Sequence, residues 1–168
     1  MIILVTGAVG RGPTCLAAFD AALVAAGIAD RNLIRLSSVL PPASSVHQVD
    51  RLSSAPGRWG DRLYCVLAEA RTTVPGAQVW AGIGWVQDAR GHGLLVEHEA
   101  DDELSLRGLI GSSLDALSRN RGVSFPSRGV EVAGVRCTGQ PVCALVVAVF
   151  TAEAWNPGRR PARAGAPA

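Results

Sequence analysis

The chain contains no lysine; all 16 of its basic residues are arginine. The absence closes several mechanisms. A pyridoxal-phosphate enzyme holds its cofactor through a lysine Schiff base. A P-loop nucleotidase needs its motif lysine, and a class I aldolase needs a lysine amine. None of these can be built here. A preference for arginine codons accounts for the composition, and the chemical exclusion holds whatever its origin.

Other absences narrow the class further. The four cysteines, Cys15, Cys65, Cys137 and Cys143, show no CxxC spacing, and three of them sit in apolar runs. They read as buried free thiols of a reducing compartment, not as disulfides or metal ligands, so no metal is expected. No run approaches the roughly 20 apolar residues of a membrane span. The opening MIILVTGAVGRG lacks the basic segment and the apolar length of a secretory leader. A cytoplasmic protein without a membrane partner is the expectation. The net charge is +2, and Arg159, Arg160 and Arg163 lie in the last twelve residues with no acid. Without those three arginines the formal charge is −1, so no nucleic-acid partner is expected.

What is present suits one globular domain. The 168 residues are 48% apolar, enough for a real core. Strands are predicted over 2–7, 32–38, 62–70, 77–87, 93–99, 128–138 and 142–152. Residues 8–13 read as a glycine-rich loop. Thr14 is a candidate N-cap for a helix over 15–27 ending at Gly27. A second helix over 101–121 is capped by Asp101 or Asp102, with Leu106, Leu109, Ile110, Leu114 and Leu117 as its apolar stripe. Pro75-Gly76 and Arg90-Gly91 mark 62–70, 77–87 and 93–99 as antiparallel neighbours. Residues 43–61 read as a long loop and 156–168 as a disordered tail. The fold class is α+β, a layered sandwich of mainly antiparallel sheet with two packed helices.

Three places carry possible chemistry. Gly7-Ala8-Val9-Gly10-Arg11-Gly12 lies between a strand and a helix, where a glycine-rich turn can cradle phosphate. Its spacing is GxxGxG and not GxGxxG, and the acid a dinucleotide site needs about 20 residues on is missing. Asp20 shares a helical face with Leu16, Phe19, Leu23 and Val24. A carboxylate there is either an edge residue, an arginine partner, or aimed at a cationic ligand. In GLLVEHEA, alternation puts Leu95, Glu97 and Glu99 on one strand face and Leu94, Val96 and His98 on the other. If both were desolvated, Glu97 and Glu99 would raise each other's pKa, which suits a general acid; a solvated strand end is the plainer reading. His47, His92 and His98 have no metal-ligand spacing and read as loop or surface residues.

Residues 32–42, NLIRLSSVLPP, resemble the cleavage-site motif of pyruvoyl-dependent arginine decarboxylases. AFDAALVAAGI (18–28) resembles that family's first helix, with its aspartate at Asp20. GLLVEHE (93–99) is similar to the segment that carries the family's catalytic glutamate, at Glu97. CALVVAVFTAEAW resembles the last strand. The likeness runs from about residue 2 to 155.

The resemblance implies a chain that cuts itself between Ser37 and Ser38. The Ser38 hydroxyl attacks the Ser37 carbonyl, elimination frees Ser37 as a new C-terminus, and hydrolysis leaves a covalent pyruvoyl group at 38. Asn32 would support this maturation, its amide placed to bond the oxyanion. The pyruvoyl group would form a Schiff base with arginine, and loss of CO₂ would give agmatine. Glu97 would return a proton to Cα, and Asp20 would bind the guanidinium. The implied domain is 1–155, divided into a β chain of 1–37 and an α chain from 38. Implied too is a homo-oligomer, a trimer or a dimer of trimers, with sites between subunits.

The loop 43–61 is more polar than the family resemblance leads one to expect. Arg51 and Arg58, beside Trp59, would disfavour a cationic substrate if that loop lined the pocket. A pyruvoyl decarboxylase for a different amino acid, a non-catalytic oligomeric relative and a nucleotide-binding module stand as alternatives.

Overall fold

A computed structural model of the chain describes residues 1–53 and 56–155. The tail expected to be disordered, 156–168, lies outside the described residues, as do 54 and 55 of the loop. Nine strands and two helices follow in the order β1 (Ile2–Arg11), α1 (Cys15–Ala26), β2 (Asn32–Arg35), β3 (Val39–Leu40), β4 (Ser45–Gln48), β5 (Arg62–Thr72), β6 (Gln78–Gln87), β7 (Gly93–Ala100), α2 (Glu103–Arg121), β8 (Ser127–Arg136) and β9 (Val142–Glu153). They form two sheets, ordered β2-β5-β9-β1-β4 and β3-β7-β6-β8. Only the β1–β4 and β2–β5 pairs are parallel. The sheets stack face to face, with α1 outside the first and α2 outside the second. The α+β sandwich read from the sequence is the observed architecture.

Strand β9 shows how the layers are built. Val142, Ala144, Val146 and Ala148 point into the core between the sheets. Cys143, Leu145, Val147 and Val149 point into the core under α1. A strand covered on both faces is apolar at every position, so its alternation is invisible in sequence. A third core lies under α2, where Leu106, Ile110 and Leu114 meet Val86, Leu94 and Val96.

The structure corrects several boundaries. Residues 8–11 are strand, not loop, because β9 pairs with β1 as far as Arg11 opposite Val142. The glycines serve packing: a Cβ on Gly10 would lie 2.1 Å from the Ala18 carbonyl oxygen of α1. No phosphate cradle exists there. The 43–61 stretch contains a strand, β4, paired in parallel with the start of β1. Strands β5 and β6 are not neighbours; the Pro75-Gly76 turn carries the chain from one sheet to the other. The β6–β7 pairing is antiparallel as expected.

Both helices have the expected caps. Thr14 Oγ1 accepts the Ala17 N–H at 3.1 Å, and Asp102 Oδ1 accepts the Ser105 N–H at 2.9 Å. Gly27 and Gly122 close the C-termini in the left-handed conformation. Their buried faces differ from the sequence reading. Helix α1 buries Ala18, Ala22, Leu23 and Ala26 and leaves Leu16 70% and Val24 51% exposed. Close approach to Gly10 selects alanine at the contact, so Leu16 and Val24 of the bulkier stripe face outward while Leu23 stays buried. On α2, Leu109 is 47% exposed and falls off the stripe. Neither helix is long and apolar enough to cross a membrane.

Candidate active site

Strand β2 belongs to the first sheet, and its pairing with β5 runs on to Leu36, whose N–H donates to the Cys65 carbonyl at 2.9 Å. Strand β3 belongs to the second sheet, with Val39 opposite Leu94. Between them the chain crosses from sheet to sheet, and it does so at Ser37-Ser38. The expected strand over 32–38 therefore ends early, at Arg35. The crossing turns on Ser38, whose φ is +65°. That left-handed region costs a side-chain-bearing residue about 1–2 kcal/mol. The strain is held in place on both sides of the carbonyl. Leu95 N–H donates to Ser38 O at 2.9 Å, and Ser38 Oγ donates to Glu97 Oε2 at 2.8 Å.

Glu97 reaches Ser38 because of the alternation along β7. Leu95 lies in the core between the sheets, while Leu94 and Val96 lie under α2. Glu97 and Glu99 continue the first of these faces to the edge, where both are exposed. The desolvation that would couple them is not supplied by this chain alone. His98 follows the other face, and its Nε2 lies 2.7 Å from Ser113 Oγ of α2. It is half-buried and joins strand to helix, which corrects the loop-or-surface reading. His47 sits on β4 beside Ser45 Oγ at 3.0 Å, and His92 bonds Asp88 at 3.0 Å in the β6–β7 turn.

Two openings meet at Glu97. The first, about 490 Å³, is lined by Ser37, Ser38 and 94–98 of β7, with Ser113, Ala116, Leu117 and Arg121 of α2. Its walls are mainly apolar. The second, about 410 Å³, is lined by Arg35, Leu67, Ala68, Glu69, Glu97, His98 and Glu99. Here Glu69 pairs with Arg35 at 3.2 Å and with Arg71 at 2.8 Å.

The remaining expected site residues are not gathered here. Asp20 is exposed on α1, outside the first sheet, and lines neither opening. Asn32 stands at the far end of β2. Its Nδ2 donates to the Gly60 carbonyl at 2.6 Å, and its N–H to the Asp61 carbonyl at 2.8 Å. An extended strand puts residue 32 about 13 Å from residue 36, so its amide does not meet the Ser37 carbonyl of its own chain. None of the described residues of 43–61 lines the two openings. Leu52 is buried under α1, and Arg51 Nη2 donates to the Val24 carbonyl at 3.2 Å. The arginines of that loop therefore give no ground, within this chain, for excluding a cationic substrate.

Sequence reasoning missed His98, Ser113, Arg121 and the Leu95 N–H. The first had a signal: it follows Glu97 and shares a strand face with buried Leu94 and Val96. No cysteine lines either opening. Burial pushes the Cys65 and Cys143 thiols up to about 11, which leaves them unreactive. Among the described residues no cluster of His, Cys, Asp and Glu is arranged to hold a metal.

A strained serine at a sheet-to-sheet crossing, hydrogen-bonded to an exposed carboxylate beside a mainly apolar opening, defines a serine-centred site in a two-sheet α+β domain. The chain belongs to the pyruvoyl-dependent arginine decarboxylase family, whose model matches residues 2–154. It is 36% identical over 139 residues to a pyruvoyl-dependent arginine decarboxylase of Methanopyrus kandleri, covering 82% of this chain and 84% of that protein. It is 43% identical over 96 residues to one of Halobacterium salinarum, a match spanning 56% of each chain. A match to the Methanothermobacter thermautotrophicus protein is 33% identical over 100 residues, 60% of this chain and 62% of that one. The Halobacterium match thus spans little more than half the length of that relative.

Proposed function

We propose that this protein cleaves itself between Ser37 and Ser38 and then decarboxylates arginine to agmatine and CO₂. The observation that carries the reading is the Ser38 Oγ to Glu97 Oε2 hydrogen bond of 2.8 Å, made by a serine at φ +65°. In the intact chain Glu97 accepts the hydroxyl proton while Ser38 Oγ attacks the Ser37 carbonyl carbon, forming an ester and freeing the Ser38 nitrogen. Loss of the Ser38 Cα proton then expels Ser37 as a carboxylate. Tautomerisation and addition of water release ammonia and leave the pyruvoyl ketone. Backbone strain at Ser38 is relieved as the bond opens, so part of its cost favours the first step. Asn32 braces the start of β2 against the turn before β5, a positioning part in this maturation.

The residues fit the group. A pyruvoyl cap keeps the carbonyl of residue 38, already held by the Leu95 N–H, and occupies the space of the serine it replaces. When formed, it supplies the electron sink for loss of CO₂ that a pyridoxal ring supplies elsewhere. Glu97 is within reach of residue 38 and delivers a proton to the substrate Cα. The walls formed by Leu94, Leu95, Val96, Ala116 and Leu117 disfavour the charged carboxylate relative to the charge-dispersed transition state.

Asp20 enters from a second copy. Exposed Leu16 and Val24 flank it on α1 and suit burial against a neighbour. A homo-oligomer, a trimer or a dimer of trimers, would bring that carboxylate to the guanidinium of arginine held in the next subunit. The cleaved domain is then 1–37 with 38–155, in the cytoplasm.

The test is agmatine formation from arginine, with other amino acids offered in parallel. Activity should require arginine and disappear after phenylhydrazine, which captures ketones. Turnover of another amino acid with arginine inert would reassign the substrate. Activity resistant to phenylhydrazine would contradict the pyruvoyl chemistry.

A further inference from the structure

Self-cleavage, taken here from the proposed function, creates a charge the intact chain does not carry. The bond from Ser38 Oγ to the Ser37 carbonyl carbon survives, the Ser38 Cβ–Oγ bond breaks, and Ser37 ends as a carboxylate. That anion is born beside a cavity whose walls are mainly apolar. Ser37 is exposed, so water shares the new charge, and a cation on the same lining adds a charge-assisted pair to it.

The same cavity has one permanent cation in its lining, Arg121, in the last turn of α2. Its Nη1 makes a long hydrogen bond of 3.3 Å to the Leu117 carbonyl. Among the described residues no aspartate or glutamate forms an ion pair with it. A guanidinium has five donors in a planar fork that matches a carboxylate. His98 and Ser113, bonded to each other at 2.7 Å, lie on the same lining and add polar groups.

We propose that Arg121 is the receptor for the Ser37 carboxylate of the cleaved protein, pinning the end of the first chain to α2 beside the reactive group. The substrate's own carboxylate is the poorer partner. An arginine that stabilises the departing carboxylate more than the transition state would slow its loss. Ser37 needs no such release, so its pairing can persist through every turnover. Arg121 also complements the α2 dipole, but that role is the same before and after cleavage.

The experiment compares wild type, Arg121→Gln and Arg121→Lys, each in the cleaved protein and in the uncleaved Ser38→Ala background. Melting temperature is read in both backgrounds. Trimming of chain 1–37 by a carboxypeptidase is followed by mass in the cleaved proteins. Arg121→Gln should lower the melting temperature more in the cleaved than in the uncleaved background and trim about tenfold faster. Arg121→Lys should recover part of both. Equal thermal losses in the two backgrounds, or equal trimming of wild type and Arg121→Gln, would overturn the assignment. So would loss of cleavage in Arg121→Gln, because the residue would then serve the precursor. A wild-type chain that never cleaves contradicts the proposed function itself and is seen before any variant is compared.

Discussion

The two helices cover the two sheets in the same way yet leave different things behind. Helix α1 seals its sheet with Ala18, Ala22 and Ala26, set on the bare backbone of Gly10. Helix α2 seals its sheet with Leu106, Ile110 and Leu114, set on Gly82 and Gly84. Its C-terminal end, however, leaves an opening where Ser38 and Glu97 meet. The α1 layer is closed inward and presents Leu16, Asp20 and Val24 outward. One layer therefore holds Ser38 and Glu97 at an opening, and the other presents a carboxylate away from it. The difference suits the assembly with shared sites proposed above.

The largest effect should come from the α2 side. Glu97→Gln should lower CO₂ release by about 10²–10⁴-fold, the range lost with a general acid–base residue. Because Glu97 already accepts the Ser38 hydroxyl, the two chains should also appear more slowly. Normal maturation with abolished turnover would confine Glu97 to the second reaction.

Substituting the helix seats sharpens the comparison. A Cβ at Gly10 meets the backbone of α1, at 2.1 Å from Ala18 O and 2.4 Å from Ala22 N. One at Gly84 meets Ile110 Cγ2 at 2.2 Å, a side chain that can turn. Gly10→Ala should cost about 3 kcal/mol and Gly84→Ala about 1–2 kcal/mol in denaturant unfolding, the range of overpacked cores. The reverse order would mean that α1 is the looser layer.

Asp20→Asn should raise KM for arginine about tenfold and leave cleavage intact, the loss of one charge-assisted pair. An unchanged KM would make Asp20 structural and remove the reason for α1 to face a neighbour's site.

The caps give the smallest effect. Hydrogen bonds from the Ser105 hydroxyl and N–H hold the Asp102 carboxyl below its ordinary value. A depressed pKa contributes stability above the usual aspartate range, and this is lost as pH falls through the lowered value. Thr14 has no charge to lose. Thr14→Ala should cost about 1 kcal/mol at any pH. Asp102→Ala should lower the melting temperature at neutral pH by a few degrees, and the difference from wild type should fade in acid. A pH-independent Asp102→Ala loss would show that the carboxyl is not engaged.

Much of the layered fold was legible, because helix caps and turn residues act locally. Thr14, Gly27 and Asp102 all punctuate the chain as their chemistry requires. The errors arose where tertiary packing overrides local composition. Gly10 and Gly12 suggested a loop, yet β9 extends the strand to Arg11 and α1 packs where both side chains are missing. Alanines looked neutral beside Leu16 and Val24, yet the close seat favours them. At the site, Ser38 and Glu97 were readable from motif and alternation. Their hydrogen bond was not, because it depends on a crossing between sheets and a positive φ. The place of Asn32 was not legible for the same reason: nearness in sequence became strand length in space within one chain.

The most direct measurement is the mass of the purified protein under denaturing conditions. Two chains are expected, 1–37 and one beginning at residue 38 with a pyruvoyl cap, and Ser38→Ala should yield one chain. A single intact wild-type chain that still releases CO₂ from arginine would contradict the mechanism.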